Sequence, residues 1–307
     1  MAWYRGDLHV HSRRSHAGEM TPGELTAAAR AAGLDFFAIT EHNTADTHGA
    51  WDPGGEPLVI LGQEVVTEAG HWLALGLGPG QVIDWRGGVD VRVAEVHRAG
   101  GLCAVAHPYA PYPSGTFLVP YDGFDAVEVW NGQWASDLPW NADNEAALAE
   151  WGRALRAGAR RTAVGNSDVH LHGQMGTPQT VVRADELTAG AILDGLRAGR
   201  CWIAESAGVG LSLTARAGDR EAGIGERLTT GGQAVVVAAQ VRGVPSGTVT
   251  VHTGQGVVHS ETLPRGGSGH VRWRAGAGMP AFVRVEVRHP GGRMAALSNP
   301  IQVGDGD

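Results

Sequence analysis

The chemistry of this 307-residue chain begins with two histidines, His9 and His11, in the segment Gly6-Asp7-Leu8-His9-Val10-His11-Ser12. The segment follows Trp3-Tyr4 and reads as a first strand. Side chains at i and i+2 of a strand leave from the same face, so both imidazoles enter one space. Two imidazoles on rigid backbone start a divalent-metal site, which needs further ligands, often carboxylates. Candidate partners recur along the first part of the chain: His16, His42, Glu64, His71, His107, Asp168 and His170. Asp168 and His170, like His9 and His11, are two apart and share one side of extended backbone. Ten of the fourteen histidines precede residue 173, which points the chemistry there.

These residues need elements to carry them, and the pattern supplies an alternation. Residues 3–11 are strand. A helix starts at Thr21, with Pro22 in its first position and Glu24 completing a capping box, and runs through Ala32 to a stop at Gly33. The short apolar strand Asp35–Thr40 delivers His42, Leu58–Gly62 leads to Glu64, and Leu73–Leu77 continues in β character. A helix over Val91–Ala99 precedes the strand Leu102–Ala106, which delivers His107. Then come a strand at Asp125–Val129, a helix at Asn144–Ala157, a strand at Thr162–Val164 running into Asp168 and His170, and a last helix at Ala184–Ala198. Alternating β and α predicts a parallel sheet or barrel whose site lies at the C-terminal strand ends. After about Ser206 helical patterns vanish. Short runs rich in Gly, Val and Thr, at 209–215, 234–241, 248–252, 270–274, 281–288 and 300–303, predict a small β-sandwich. The expected division is a catalytic domain over 1–205 and an accessory sandwich over 206–307. The four histidines of the second part (His252, His259, His270, His289) lack carboxylates at ligand spacing and are expected at the surface or in packing.

Composition excludes several alternatives. The chain has no lysine, so a P-loop lysine, a Schiff base and a carboxylated-lysine metal bridge are ruled out. A net charge of −8 argues against a nucleic-acid partner. No apolar run reaches membrane-spanning length and no signal peptide is evident, so a cytoplasmic location is expected. Cys103 and Cys201 form no CxxC and are expected to pack in the core. Oligomeric state is not legible.

Five motifs carry a resemblance to a known family: Asp-Leu-His-Val-His-Ser (7–12), Ile-Thr-Glu-His-Asn (39–43), Gly-Gln-Glu (62–64), Ala-His-Pro (106–108) and Gly-Asn-Ser-Asp-Val-His (165–170). In this order and spread over about residues 3–205, they resemble the PHP (polymerase and histidinol phosphatase) superfamily. Within it, Glu-Val-Trp-Asn-Gly (128–132), Gly70-His71 and the tail Met294-Ala-Ala-Leu-Ser-Asn-Pro-Ile look like the CehA/McbA carbamate-hydrolase group. The resemblance implies an α/β fold, a distorted (β/α)7 barrel of PHP type followed by the small β-sandwich, and two or three divalent metals (Zn, Mn or Fe). Carried over, His9, His11, Glu64 and Asp168 hold a first metal, and Glu64 bridges to a second with His107 and His71. His16, His42 and His170 hold a third; many relatives have Asp at the position of His16. Asp168, Glu64 and His170 are the residues expected to carry catalysis.

Around this set, Asp7 and Glu41 suit the task of fixing an imidazole tautomer, or form ordinary salt bridges. Arg5, Arg13 and Arg14 could clamp a substrate anion or be solvated. Trp130, Asn131 and Trp134 could line a pocket or pack. His97 is expected to be structural, and His48 and His172 stay open as general acids. The reaction implied is hydrolysis of a small-molecule phosphoester, with a carbamate, carboxylic ester or amide as the alternative. A non-catalytic metal-stabilised module is the third reading.

Overall fold

The computed structural model describes residues 1–52, 54–132, 142–275 and 281–305. The first part of the chain runs β1 (Ala2–Val10), α1 (Pro22–Ala31), β2 (Phe36–Ile39), β3 (Leu58–Thr67) and β4 (Gly70–Leu75). It continues with α2 (Val89–Arg98), β5 (Leu102–Val105), β6 (Ala126–Asn131), α3 (Ala142–Arg156) and β7 (Thr162–Asn166). Then follow β8 (Gln179–Ala184), α4 (Ala189–Arg197) and β9 (Cys201–Ala204). The rest is strand: β10 (Gly210–Ala217), β11 (Arg220–Gly223), β12 (Arg227–Leu228), β13 (Val235–Arg242), β14 (Thr248–Thr253) and β15 (Gly256–Thr262). The last four are β16 (Gly269–Ala275), β17 (Phe282–Arg288), β18 (Met294–Ser298) and β19 (Ile301–Val303).

α1 forms as its sequence dictates. Thr21 accepts a hydrogen bond from the Glu24 backbone N–H and the Glu24 carboxylate accepts from the Thr21 N–H, a reciprocal cap. All four residues of β2 are buried because parallel strands are covered on both faces. Phe36 and Ala38 enter one apolar cluster with Leu8, Ile60 and Val164, while Phe37 and Ile39 enter another with Leu25 and Ala29 of α1.

The sheet is mixed. β1–β2–β3 and β5–β6–β7 are parallel ladders, while β4 pairs antiparallel with both β3 and β5, and β8 with both β1 and β9. The expected barrel is not a closed ladder among the described residues, because β7 ends the strand order and pairs only with β6. Its approach to β1 is made by the single bridge Val10–Val169 and by the Leu8 N–H donating to the Asn166 side chain at 2.9 Å. No described helix is long and apolar enough to cross a membrane.

β10 and β13 alternate buried and exposed residues, so Leu211, Leu213, Val235 and Val237 point inward against Val249, Val251, Val283 and Val285 of the facing sheet. That second sheet is continuous with the first part of the chain, because β18 pairs with β9.

Three expectations change. The last helix begins at Ala189, where the Thr188 side chain caps the Ala191 N–H, and the segment before it is strand β8. β8 and β9, not expected from the sequence, are short and lie between stronger signals. Three sandwich histidines do meet carboxylates: His289 with Glu205 at 2.7 Å, His252 with Glu286 at 3.4 Å and His259 with Glu261 at 3.6 Å. Two of these glutamates come from other strands or connections, where local spacing gives no warning. Both cysteines are buried and free, and burial pushes both thiols up.

Burial, reinforced by Arg284, pulls the His252 pKa down to about 4, with Glu286 opposing and Arg288 adding to the fall. An unfolded histidine titrates near ~6.5, so on acidification the unfolded chain binds this proton first. Stability is therefore lost as pH falls from about 6.5 to about 4. His252→Gln should remove ~1–2 kcal/mol of the stability difference between pH 7 and pH 5. Urea unfolding at the two pH values checks this, and an unchanged difference rules it out.

Candidate metal centre

Glu64 lies at the centre of the site. It is not past the end of a strand, as its motif suggested, but inside β3, which continues beyond Gly62 to pair with β4. There it is buried, with its two carboxylate oxygens turned to different imidazoles. Oε1 lies 2.9 Å from His71 Nδ1 and 3.2 Å from His107 Nε2. Oε2 lies 2.9 Å from His42, 3.3 Å from His11 and 3.4 Å from His9, in each case from Nε2. Asp168 Oδ1 faces the same imidazoles from the other side, 3.3 Å from His9 Nε2 and 3.2 Å from His11 Nε2. His170 Nδ1 lies 3.5 Å from that oxygen.

Distant segments meet here because strand ends converge. β1 supplies His9 and presents His11 just past its end, β4 supplies His71, and the turns after β2, β5 and β7 supply His42, His107 and Asp168. Two of these turns hold a ligand-type residue in the left-handed region, His107 at φ 22° and Asp168 at φ 50°. Such backbone costs of order 1–3 kcal/mol and persists where the surroundings over-determine it.

The donors fall into four groups whose atoms lie within 4.8 Å of one another: His9, His11 and Glu64; His9, His107 and Asp168; Glu64, His71 and His107; and His11, His42 and His170. His16 lines the same pocket but joins none of these groups. His9 Nε2, His11 Nε2, His71 Nε2 and Asp168 Oδ1 are buried with no hydrogen-bond partner. Buried polar atoms left so are costly. Nitrogen and oxygen donors aimed at common points fit divalent cations, and the N/O set suits Zn, Mn or Fe.

The residues behind the donors orient them. Glu128 accepts from His9 Nδ1 at 3.3 Å, from Asn166 Nδ2 at 2.9 Å, from Asn131 Nδ2 at 2.9 Å and from the His107 backbone N–H at 2.8 Å. A carboxylate oxygen accepts, so His9 Nδ1 donates to Glu128 and the ring turns Nε2 to the centre. His11 Nδ1 lies 3.0 Å from Ser15 Oγ, which donates to Glu41. Glu41 thus acts on His11 through Ser15. Asp7 does not touch an imidazole at all: it accepts from the Ser167 hydroxyl and from the backbone N–H groups of Ser167, Gly176 and His9. The contact with an imidazole expected of Asp7 is made by Glu128 instead. A lone carboxylate in the apolar strand Ala126-Val-Glu-Val-Trp was the available signal.

Electrostatics follow from the packing. Burial favours the neutral form of Glu64 and of Asp168, but the imidazoles outweigh it and both carboxyls lie well below their ordinary range. Burial also opposes the charge on His9, yet Asp168, Glu64 and Glu128 together raise its pKa well above the ordinary value. For His11 burial wins and the pKa falls to about 4. Burial lifts Asp7 to about 6 against the pull of its four donors.

Other candidates lie elsewhere. Arg5 is tied to Gln179, Ser206 O and Val209 O, and Arg14 pairs with Asp46 on the surface. Neither they nor Arg13 are among the described residues that line the pocket. Both ring nitrogens of the buried His48 are engaged, Nε2 by Gly62 O and Nδ1 by the Gly80 N–H, which removes it as a general acid. His172 is exposed, and His97 pairs with Asp125 at 2.8 Å. Trp130 is buried, whereas Asn131 reaches Asp168 Oδ2 at 3.3 Å; Trp134 lies outside the described residues. Sequence reasoning missed Tyr112, whose hydroxyl lies 3.3 Å from His107 Nε2 on the pocket wall.

Glu128→Gln should weaken metal binding by ~10–100-fold, the usual cost of losing the group that orients a ligating histidine. Competition with a fluorescent chelator measures this, and an unchanged affinity would refute the orienting role.

A PHP domain model matches residues 7–115, which include His9, His11, His42, Glu64, His71 and His107. No curated protein gives a significant sequence match. Among solved structures, the chain is similar to a two-domain protein from Bacteroides vulgatus containing a predicted PHP-like metal-dependent phosphoesterase. The identity is 15%, the TM-score 0.54, and the alignment covers 98% of this chain and 95% of that one. It is also similar to the lesion-specific endonuclease PfuEndoQ of Pyrococcus furiosus, at 17% identity and TM-score 0.45, covering 65% of this chain and 56% of that one. PsfC of Pseudomonas syringae aligns at 16% identity and TM-score 0.43, over 64% and 88%. The Bacteroides likeness is one of fold and runs through both parts of the chain. Over residues 7–115 the match to a PHP domain and the converging donors coincide.

Proposed function

We propose that this chain is a metal-dependent hydrolase of small-molecule phosphoesters, with Glu64 bridging two cation sites. The observation that carries the reading is the division of Glu64: one oxygen serves His71 and His107, the other His9, His11 and His42. His9, His11, Glu64 and Asp168 would hold one cation and Glu64, His71 and His107 a second. His42 and His170 would hold a third, with His16 at its edge. Bound cations supply a water acidic enough to attack near neutral pH and neutralise charge growing on the scissile group. Three cation sites around one pocket favour a phosphoester, whose charge they match.

The chain's own residues do the remainder. Asp168, held through Oδ2 by Asn131, accepts the attacking water's proton. Burial and then the charges of Asp168, Glu64 and Glu128 keep Tyr112 protonated, so its hydroxyl donates to a substrate oxygen. The pocket, about 500 Å³, has Val66, Ala17 and Tyr112 on its wall and no arginine among the described residues that line it. That last feature favours the second reading, a carbamate or carboxylic ester of the CehA/McbA kind, since no guanidinium is there for a free phosphate dianion. Hydrolysis of p-nitrophenyl phosphate and bis(p-nitrophenyl) phosphate against 1-naphthyl carbamates and acetates, each with Mn²⁺, Zn²⁺ and Fe²⁺, separates the two. Turnover confined to the carbamates and acetates would transfer the assignment; turnover of neither, with metal bound, would leave a binding module.

A further inference from the structure

We propose that the cleft between α3 and β17 is a binding site for a small oxyanion (phosphate, sulfate or a dicarboxylate), separate from the metal centre. The cleft, about 370 Å³, is lined by four arginines, Arg153, Arg156, Arg284 and Arg288, against two carboxylates, Glu145 and Glu286. It shares no lining residue with the metal pocket.

Both carboxylates are already committed. Glu286 accepts from Arg284 at 2.7 Å and lies 3.3 Å from Arg288, and Glu145 accepts from Arg288 at 2.6 and 3.1 Å. Arg153 pairs with Glu150 along its own helix. Arg156 has no hydrogen bond or ion pair among the described residues. Arg284 is 5% exposed, sits 5.0 Å over the Trp151 ring, and leaves its Nε without a partner. Burial, with Arg156 and Arg288 adding their like charge, pulls the Arg284 pKa below its ordinary value. An anion in the cleft would offset that like charge.

The floor of the cleft is Gly152, in the interior of α3. Glycine there is less favourable to the helix than alanine, and packing does not demand it. A β-carbon at this position would meet only Arg156 Nη1 and Arg284 Nη2, each at an ordinary contact distance of 3.8 Å. Two guanidinium nitrogens of like charge thus converge on one open point above a residue with no side chain. A compact anion seated in the cleft over Gly152 lies within reach of both and takes charge-assisted hydrogen bonds from them.

Isothermal titration of the metal-loaded protein with sulfate, phosphate and malonate, each alone at constant ionic strength in chloride, tests the site. Saturable binding of at least one is expected. Arg156→Gln and Gly152→Ala should each weaken it by roughly tenfold or more, with metal content and hydrolysis unchanged. Gly152→Ala puts a methyl group in the open point without disturbing the fold, so its stability serves as the folding control. Absence of saturable binding for all three anions, or equal binding by wild type and both variants, overturns the proposal; the second outcome assigns the bound anion to the metal centre.

Discussion

Glu64→Ala should lower kcat/KM by on the order of 10³-fold or more, because the loss of cations forfeits several kcal/mol of charge stabilisation. The effect is large because one side chain serves two donor groups: Glu64 contributes an oxygen both to the group with His9 and His11 and to that with His71 and His107. Its removal also leaves the buried imidazoles of His9, His11, His71 and His107 without the carboxylate they face. Metal analysis of the purified variant beside its turnover is the measurement, with thermal unfolding as the control for folding. Full metal content with full turnover would show that Glu64 bridges nothing.

Asp168→Asn should cost ~10²–10⁴-fold in kcat, the range for loss of a positioned proton acceptor. The amide preserves the size of the side chain but cannot take the water's proton, and it is a weaker ligand facing His9 and His11. The ligand and base roles separate in the metal dependence. If ligation dominates, raising the metal concentration restores activity; if proton acceptance dominates, kcat stays low at saturating metal and the acidic limb of the pH profile is altered. Turnover within twofold of wild type at ambient metal would remove Asp168 from both roles.

Much of the site was legible in one dimension. His9 and His11 share a face because strand geometry gives side chains a period of two, and nothing distant is needed to know it. Thr21, Pro22 and Glu24 announce a helix start for an equally local reason, and the alternation of apolar residues in β10 and β13 announces a two-faced sheet. The absence of lysine confined any metal bridge to an ordinary carboxylate.

Other features depended on contacts between segments far apart in the chain. Glu128 and His9 are 119 residues apart, and Arg284 reaches Trp151 of α3 from β17, so neither relation has a period to detect. His48 looked available until the fold set Gly62 O and the Gly80 N–H against its two nitrogens. Arg5 looked able to reach a substrate until β1 was seen to direct it toward Ser206 and Val209. Residue types and local periods decided which chemistry this chain can perform. Which oxygen of Glu64 faces which imidazole, and which buried charge has a partner, was decided only by the tertiary structure, because those depend on through-space distance.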